Sequence, residues 1–184
     1  MPLAVRALLV AALCLPALAA SDATAAPRRY QALTEPPTDA SRAVLVFVTD
    51  ARYAVRAVVL AGNDGRDAAS LELRTVAGEY SARAFALPPG RYRISALKVP
   101  DFQREPFEIH DAPPFELVAG QLNYIGDFSL YEERDDLMCR LSNRSGRLLT
   151  HLRERSSPLF GMLPFAFVGG DDDGWVGTLA GPRR

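Results

Sequence analysis

The chain has 184 residues, with 21 Lys and Arg against 22 Asp and Glu, two histidines and a formal net charge of −1. A near-neutral balance argues against a nucleic-acid partner, which needs clustered positive charge. Two histidines and two cysteines leave little from which to build a zinc site or an activated nucleophile.

The first segment reads as an export signal. Met-Pro-Leu-Ala-Val-Arg is followed by an apolar stretch over 7–15, by Pro16, and by Ala17-Leu18-Ala19. A short basic region, an apolar core, a helix breaker and small residues at the cleavage positions describe a signal peptide over residues 1–20. Cleavage is expected after Ala19 or Ala20, with Ala23-Thr24-Ala25 as a second site. The apolar run, about a dozen residues, is shorter than the roughly 20 that span a bilayer, so no transmembrane segment is expected in the mature chain. A lipoprotein reading of Cys14 fails because Leu13 stands where a small residue is required. Processing leaves 20 basic against 22 acidic side chains and Cys139 as the lone cysteine. No intramolecular disulfide is then possible, and about 160 residues are enough for one core.

Residues 21–41 are small, polar and Pro-containing, and read as a flexible leader. A β-rich domain is expected over 42–142. Ala43-Val44-Leu45-Val46-Phe47-Val48 suits a central strand covered on both faces. A second strand is expected over 53–60, ending at the turn Gly62-Asn63-Asp64-Gly65. Period-two patterning follows: Leu71, Leu73 and Thr75; a strand over 80–87; a turn at Pro88-Pro89-Gly90; then Tyr92, Ile94 and Ala96 on one face. Phe107 with Ile109 and Phe115 with Leu117 repeat it. Leu122, Tyr124, Phe128 and Leu130 are expected on one face, separated by Asn123, Asp127 and Ser129. Leu137, Cys139 and Leu141 close the series and put the thiol inward. Eight or nine short strands punctuated by Gly and Pro describe an antiparallel sandwich or barrel. Over 143–184, Leu148, Leu149 and Leu152 predict a short amphipathic helix across 145–155. The apolar run over 158–170, rich in Pro and Gly, is then a last strand or an arm, and the end of the chain reads as loose.

Two stretches carry a family resemblance. Leu-Pro-Pro-Gly-Arg-Tyr-Arg-Ile-Ser over 87–95 resembles a strand pair of transthyretin-like and carboxypeptidase-regulatory-like sandwiches. Phe-Glu-Leu-Val-Ala-Gly-Gln-Leu-Asn-Tyr-Ile-Gly over 115–126 is similar to the strand that closes small Ig-like domains of bacterial envelope proteins. The resemblance spans about residues 43–131 and implies an Ig-like or transthyretin-like β-sandwich. It implies no particular activity. In both stretches Gly90 and Gly120 permit tight reversals, while Tyr92 and Tyr124 fill the interior and keep a hydroxyl for the backbone. Ala- and Arg-rich usage fits a bacterium of GC-rich genome, hence a periplasmic or secreted location.

No catalytic, cofactor or metal constellation stands out. His110 beside Asp111 is a conceivable hydrolase base on a loop, without a Gly-x-Ser-x-Gly elbow. His151 sits among arginines on the helix. Asp171-Asp172-Asp173-Gly174 lacks the alternate spacing and terminal Glu of a calcium loop, and Asn143-Arg144-Ser145 reads as a glycosylation acceptor or a polar turn. The apolar arm over 159–168 is either a flap sealing the sandwich or a docking element with Phe160, Met162, Phe165 and Phe167 as anchors. Tyr131 and Trp175 are candidate surface aromatics. The preferred expectation is an exported, non-enzymatic sandwich that binds an envelope protein or a surface ligand. The alternatives are a carbohydrate or small-molecule binding module, and a hydrolase acting through His110.

Overall fold

Residues 43–48 set the architecture. Ala43, Leu45 and Phe47 enter one apolar cluster while Val44, Val46 and Val48 enter another, and all six are buried. A strand apolar on both sides needs cover on both sides. The molecule accordingly has three layers: a sheet, a second sheet, and a helix with flanking segments on the far side of the second sheet.

The computed structural model describes residues 26–35, 37–100, 102, 105–134, 136–155, 157–158, 161–170 and 174–179. The first sheet contains β1 (Arg28–Tyr30), β4 (Asp67–Glu72), β3 (Ala57–Ala61), β6 (Gly90–Lys98) and β7 (Phe107–Glu108), in that order, and β8 (Phe115–Leu117) also pairs with β6. The second runs β12 (Trp175–Thr178), β10 (Asp136–Ser142), β9 (Leu122–Glu133), β2 (Ala43–Asp50) and β5 (Tyr80–Leu87), with β11 (Phe165–Phe167) also on β9. The helix α1 spans Ser145–Glu154. The fold is a mostly β sandwich, as the patterning predicts. Most pairings are antiparallel as expected, but both sheets are mixed: β1 with β4, β2 with β9 and β11 with β9 run parallel.

The inter-sheet core holds Leu45, Phe47, Val58, Leu60, Leu71, Phe85, Ile94, Leu97, Phe128 and Leu130, with Cys139 fully buried among them. Burial pushes the Cys139 thiol up to about 12.

Strict alternation fails at three bulges, one of them at Ala68 on β4, between the Leu60–Ala69 and Ala61–Asp67 pairs, and the other two re-aim core residues. On β6, Ala96 pairs with Val59 and Ile94 with Leu60, so Ser95 is one residue too many. An extra residue reverses the facing of everything beyond it. Leu97 and Val99 therefore join the inter-sheet core, and Ala96, expected inside with Tyr92 and Ile94, lies outside that cluster. The Ser95 hydroxyl lies 2.8 Å from Asp67 Oδ1 and 3.2 Å from the Val59 carbonyl. On β9, Val46 pairs with Tyr124 and Val48 with Asp127, which places the surplus at Ile125 and Gly126. Leu122 and Tyr124 consequently face the helix layer, whereas Ile125, Phe128 and Leu130 face the first sheet. The single apolar face expected for Leu122, Tyr124, Phe128 and Leu130 is two faces. Gly126 makes the reversal possible: its φ is +119°, and a Cβ there would lie 3.1 Å from the Ser142 carbonyl oxygen.

That same junction ends the β10 pairing at Ser142 opposite Asp127. The chain turns into α1 and returns as β11 along the vacated edge of β9, with Phe165 opposite Leu122 and Phe167 opposite Tyr124. Leu148 and Leu152, four apart and so on one helix face, are buried against Val44, Val46, Val48 and Ala84. Leu149 is half-buried. Asn143 Oδ1 accepts from the Ser145 amide at 3.2 Å and hydroxyl at 2.6 Å, so Asn143-Arg144-Ser145 is the polar turn that opens the helix.

Three further expectations shift. Arg28–Tyr30, expected inside the flexible leader, forms β1, and the Leu33 amide donates to the Ala84 carbonyl at 2.7 Å, tying the leader to both sheets. The second strand covers Ala57–Ala61 rather than 53–60, because the Val55 amide donates to Thr75 Oγ1 instead of to a strand neighbour. Trp175–Thr178, expected to be loose, pairs with β10 and extends the second sheet.

Candidate functional site

The helix side of the second sheet carries a polar cluster that alternation alone would have put in solvent. Beyond the bulge, Asp127 turns toward α1 and is fully buried. Its Oδ1 accepts from the Tyr124 hydroxyl at 2.6 Å and from the Tyr80 hydroxyl at 3.4 Å. Its Oδ2 has no hydrogen-bond partner among the described residues, and Arg147 Nη1 stands 4.0 Å away. Burial raises the Asp127 carboxyl above the usual carboxylate range, against the Tyr124 hydrogen bond and the charges of Arg147 and Arg144, which pull it down. Tyr124 and Tyr80 are likewise raised, first by burial.

The cluster pins the helix. The Tyr124 hydroxyl accepts from the Arg144 amide at 3.2 Å, serving a helix start that has no side-chain cap. Asp50 pairs with Arg144 at 3.1 Å and with Arg147 in a short contact. The Arg147 guanidinium lies 4.0 Å from the Tyr80 ring centroid. His151 meets the same ring edge-on at 4.9 Å, and burial, with Arg155 nearby, lowers its pKa below the ordinary histidine value. Arg147, His151 and Tyr80 line a shallow depression of about 390 Å³. Each of these groups is engaged in holding the third layer onto the second sheet.

The helix covers only part of that sheet. Leu137, Cys139 and Leu141 point into the core, so Met138 and Arg140 project from the opposite face. Met138 pairs with Tyr131 on β9 and with Thr178 on β12; Arg140 pairs with Ser129 and with Val176. Two rows of three side chains result. Tyr131, Met138 and Ser129 are half-buried, and Arg140, Val176 and Thr178 are exposed. This face ends at β12, whose outer edge pairs with no strand among the described residues. Sequence reasoning named Tyr131 but not Met138 or Val176; the Leu137, Cys139 and Leu141 alternation, read for its other face, would have found Met138.

The residues expected in the apolar arm divide. Phe165 and Phe167 pack on Tyr124 with ring centroids 5.8 Å away in each case. Both rings are half-buried, with one side against the apolar cluster beneath the helix layer. Met162 is 63% exposed. Phe160 lies outside the described residues, as do Asp171, Asp172 and Asp173. Trp175 packs against the inter-sheet core with its ring over Gly177, where a Cβ would come within 2.2 Å of it.

His110 is exposed on a rim trough of about 370 Å³ that Ser95 also lines. His110 Nε2 faces Glu108 at 3.5 Å, while the Ser95 hydroxyl is engaged by Asp67 and Val59. The structure does not join the two into a nucleophile and base. Among the described residues no group of three or more His, Cys, Asp or Glu could hold a metal ion, and no helix is long and apolar enough to cross a membrane. Comparison with family models, curated proteins and solved structures finds no match for the chain.

Proposed function

We propose that this chain is an exported, non-catalytic β-sandwich that acts in the bacterial cell envelope by binding another protein. The observation that carries the reading is the block of half-buried Tyr131 and Met138 with exposed Val176, beside an edge of β12 that pairs with no strand among the described residues. An open strand edge offers backbone hydrogen bonds to an extended partner segment, and alternate apolar side chains beside it offer specificity. The partner is a protein with an extended apolar segment that adds to β12 and seats side chains on Met138 and Val176. The N-terminal signal pattern and the likeness to envelope sandwiches support a periplasmic or secreted setting.

A photoreactive residue at position 176, expressed in the native host and illuminated in intact cells, tests this. A discrete cross-linked product at 176, absent when the probe is at exposed Val76 between β4 and β5, is expected. The same product should disappear on Met138→Asp. Equal yields at both positions, or a product indifferent to Met138→Asp, refute the reading.

For the carbohydrate reading, Trp175 would offer a half-buried ring that packs partly on the inter-sheet core.

A further inference from the structure

The outer face of the first sheet holds a feature that the protein-docking proposal does not use. A trough of about 430 Å³ crosses β1, β4, β3 and β6, with Ala57 and Ser70 among the small residues of its floor. Its walls are Arg29, Arg56, Arg74 and Lys98, against one acid among the described residues, Glu72. In a chain of net charge −1 this is local concentration, not overall basicity.

The cations are set by the backbone. The Arg56 amide donates to the Lys98 carbonyl at 2.8 Å, and the Arg56 carbonyl accepts from the amides of Leu73 at 3.0 Å and Arg74 at 3.3 Å. The one acid is already engaged. Glu72 accepts from Gln31 Nε2 at 3.1 Å and from Arg74 at 3.0 Å. Arg56 and Lys98 are exposed and form no ion pair among the described residues. Three inter-strand steps of about 4.8 Å and a two-residue offset of about 7 Å along the strands put Arg29 and Lys98 on the order of 16 Å apart. That span accommodates more than one anionic group. Guanidinium forks match phosphate oxygens in pairs, and an ammonium beside them adds a point charge. Among the described residues no aromatic ring lines the trough, so they offer charge recognition without a stacking platform for bases or sugars.

We propose that this trough binds at least two phosphate groups at once, either those of one free phosphorylated compound or those of neighbouring anionic lipid headgroups. Titration calorimetry of the processed chain with inorganic tripolyphosphate, together with flotation on phosphatidylcholine vesicles with and without phosphatidylglycerol, reads both sources. Binding to tripolyphosphate alone assigns a free ligand, and flotation that requires phosphatidylglycerol assigns a headgroup. In either case Arg56→Ala with Lys98→Ala should weaken binding by at least about tenfold, since two unpartnered cations are lost. Arg83→Ala, exposed on the edge of the other sheet, should change it less than about twofold. Circular dichroism and the unfolding midpoint of each variant separate lost binding from lost fold. Absence of binding to both probes, or binding that Arg56→Ala with Lys98→Ala leaves intact, overturns the proposal. So does a single-stranded oligonucleotide that displaces tripolyphosphate through the same residues, because the ligand would then be a nucleic acid.

Discussion

Tyr124→Phe removes one oxygen from the interior and should be costly out of proportion to its size. The hydroxyl donates to Asp127 at 2.6 Å and accepts from the Arg144 amide at 3.2 Å. A hydrogen bond to a charged group is worth about 1.5–3 kcal/mol, and a helix-start amide left without its acceptor adds roughly 0.5–1 kcal/mol. The expected loss is about 3 kcal/mol at neutral pH, with Asp127 left only the Tyr80 hydroxyl at 3.4 Å. Urea unfolding of the processed chain, followed by the fluorescence of its single tryptophan, Trp175, measures it. In an Asp127→Asn background the acceptor is neutral, so Tyr124→Phe should cost only about 1 kcal/mol there. A loss below about 1 kcal/mol in the wild-type background, or one that Asp127→Asn does not reduce, refutes the assignment of this pair as the anchor of the third layer.

Asp127 should also leave a pH signature. Its folded-state carboxyl is raised above the ordinary value of 3.8, first by burial, so the folded state holds the proton more tightly than the unfolded chain. That contribution to stability is full below 3.8 and is lost as pH rises through the folded value. Wild type should therefore lose stability relative to Asp127→Asn on going from pH 4 toward neutrality, and parallel stability curves for the two would contradict it. Leu148→Ala should cost about 2–5 kcal/mol because its side chain is fully buried under the helix. At half-buried Leu149 the same change should cost under about 1 kcal/mol in the same denaturation assay. Gly126→Ala should cost at least about 2 kcal/mol in thermal melts, since a side chain at φ +119° meets the Ser142 carbonyl. Cys139 should resist a thiol-specific chromogenic reagent in buffer and react fully in urea, because it is buried and its thiolate disfavoured at neutral pH.

Most strands were legible because their alternation is strong: Leu137, Cys139 and Leu141 face inward, β5 covers the stretch expected at 80–87, and the helix expected over 145–155 occupies Ser145–Glu154. Tyr92 keeps its hydroxyl for the backbone as expected, donating to the Pro88 carbonyl at 3.1 Å. The facing of residues beyond Ser95 and Gly126 was not legible, because a bulge adds a residue without changing composition. A signal for the bulge at Gly126 does exist. In Leu-Asn-Tyr-Ile-Gly-Asp-Phe-Ser-Leu, a glycine is followed by an acid in the middle of an apolar strand, which is poor material for an unbroken ladder. The polar cluster at α1 was missed for the same reason, since Asp127 was read as an outward spacer. The basic trough was missed because Arg29, Arg56, Arg74 and Lys98 come from four separate parts of the chain and meet only after the strands pair.

The doubly apolar strand at 43–48 ties these observations together. It demands a second cover, and among the described residues the helix, Leu33 and the 161–170 segment supply most of it. Phe165 and Phe167 contribute to that cover as half-buried rings packed on Tyr124. The cover stops short of the β9–β10–β12 end of the sheet, so Met138 and Val176 lie open there, where no helix packs. Lengthening α1 or β11 to reach that end would hide the surface on which the proposed partner depends. On this argument, a fusion that extends the chain beyond β12 and adds a strand to its edge should block partner cross-linking at Val176 while leaving anion binding at Arg56 and Lys98 unchanged.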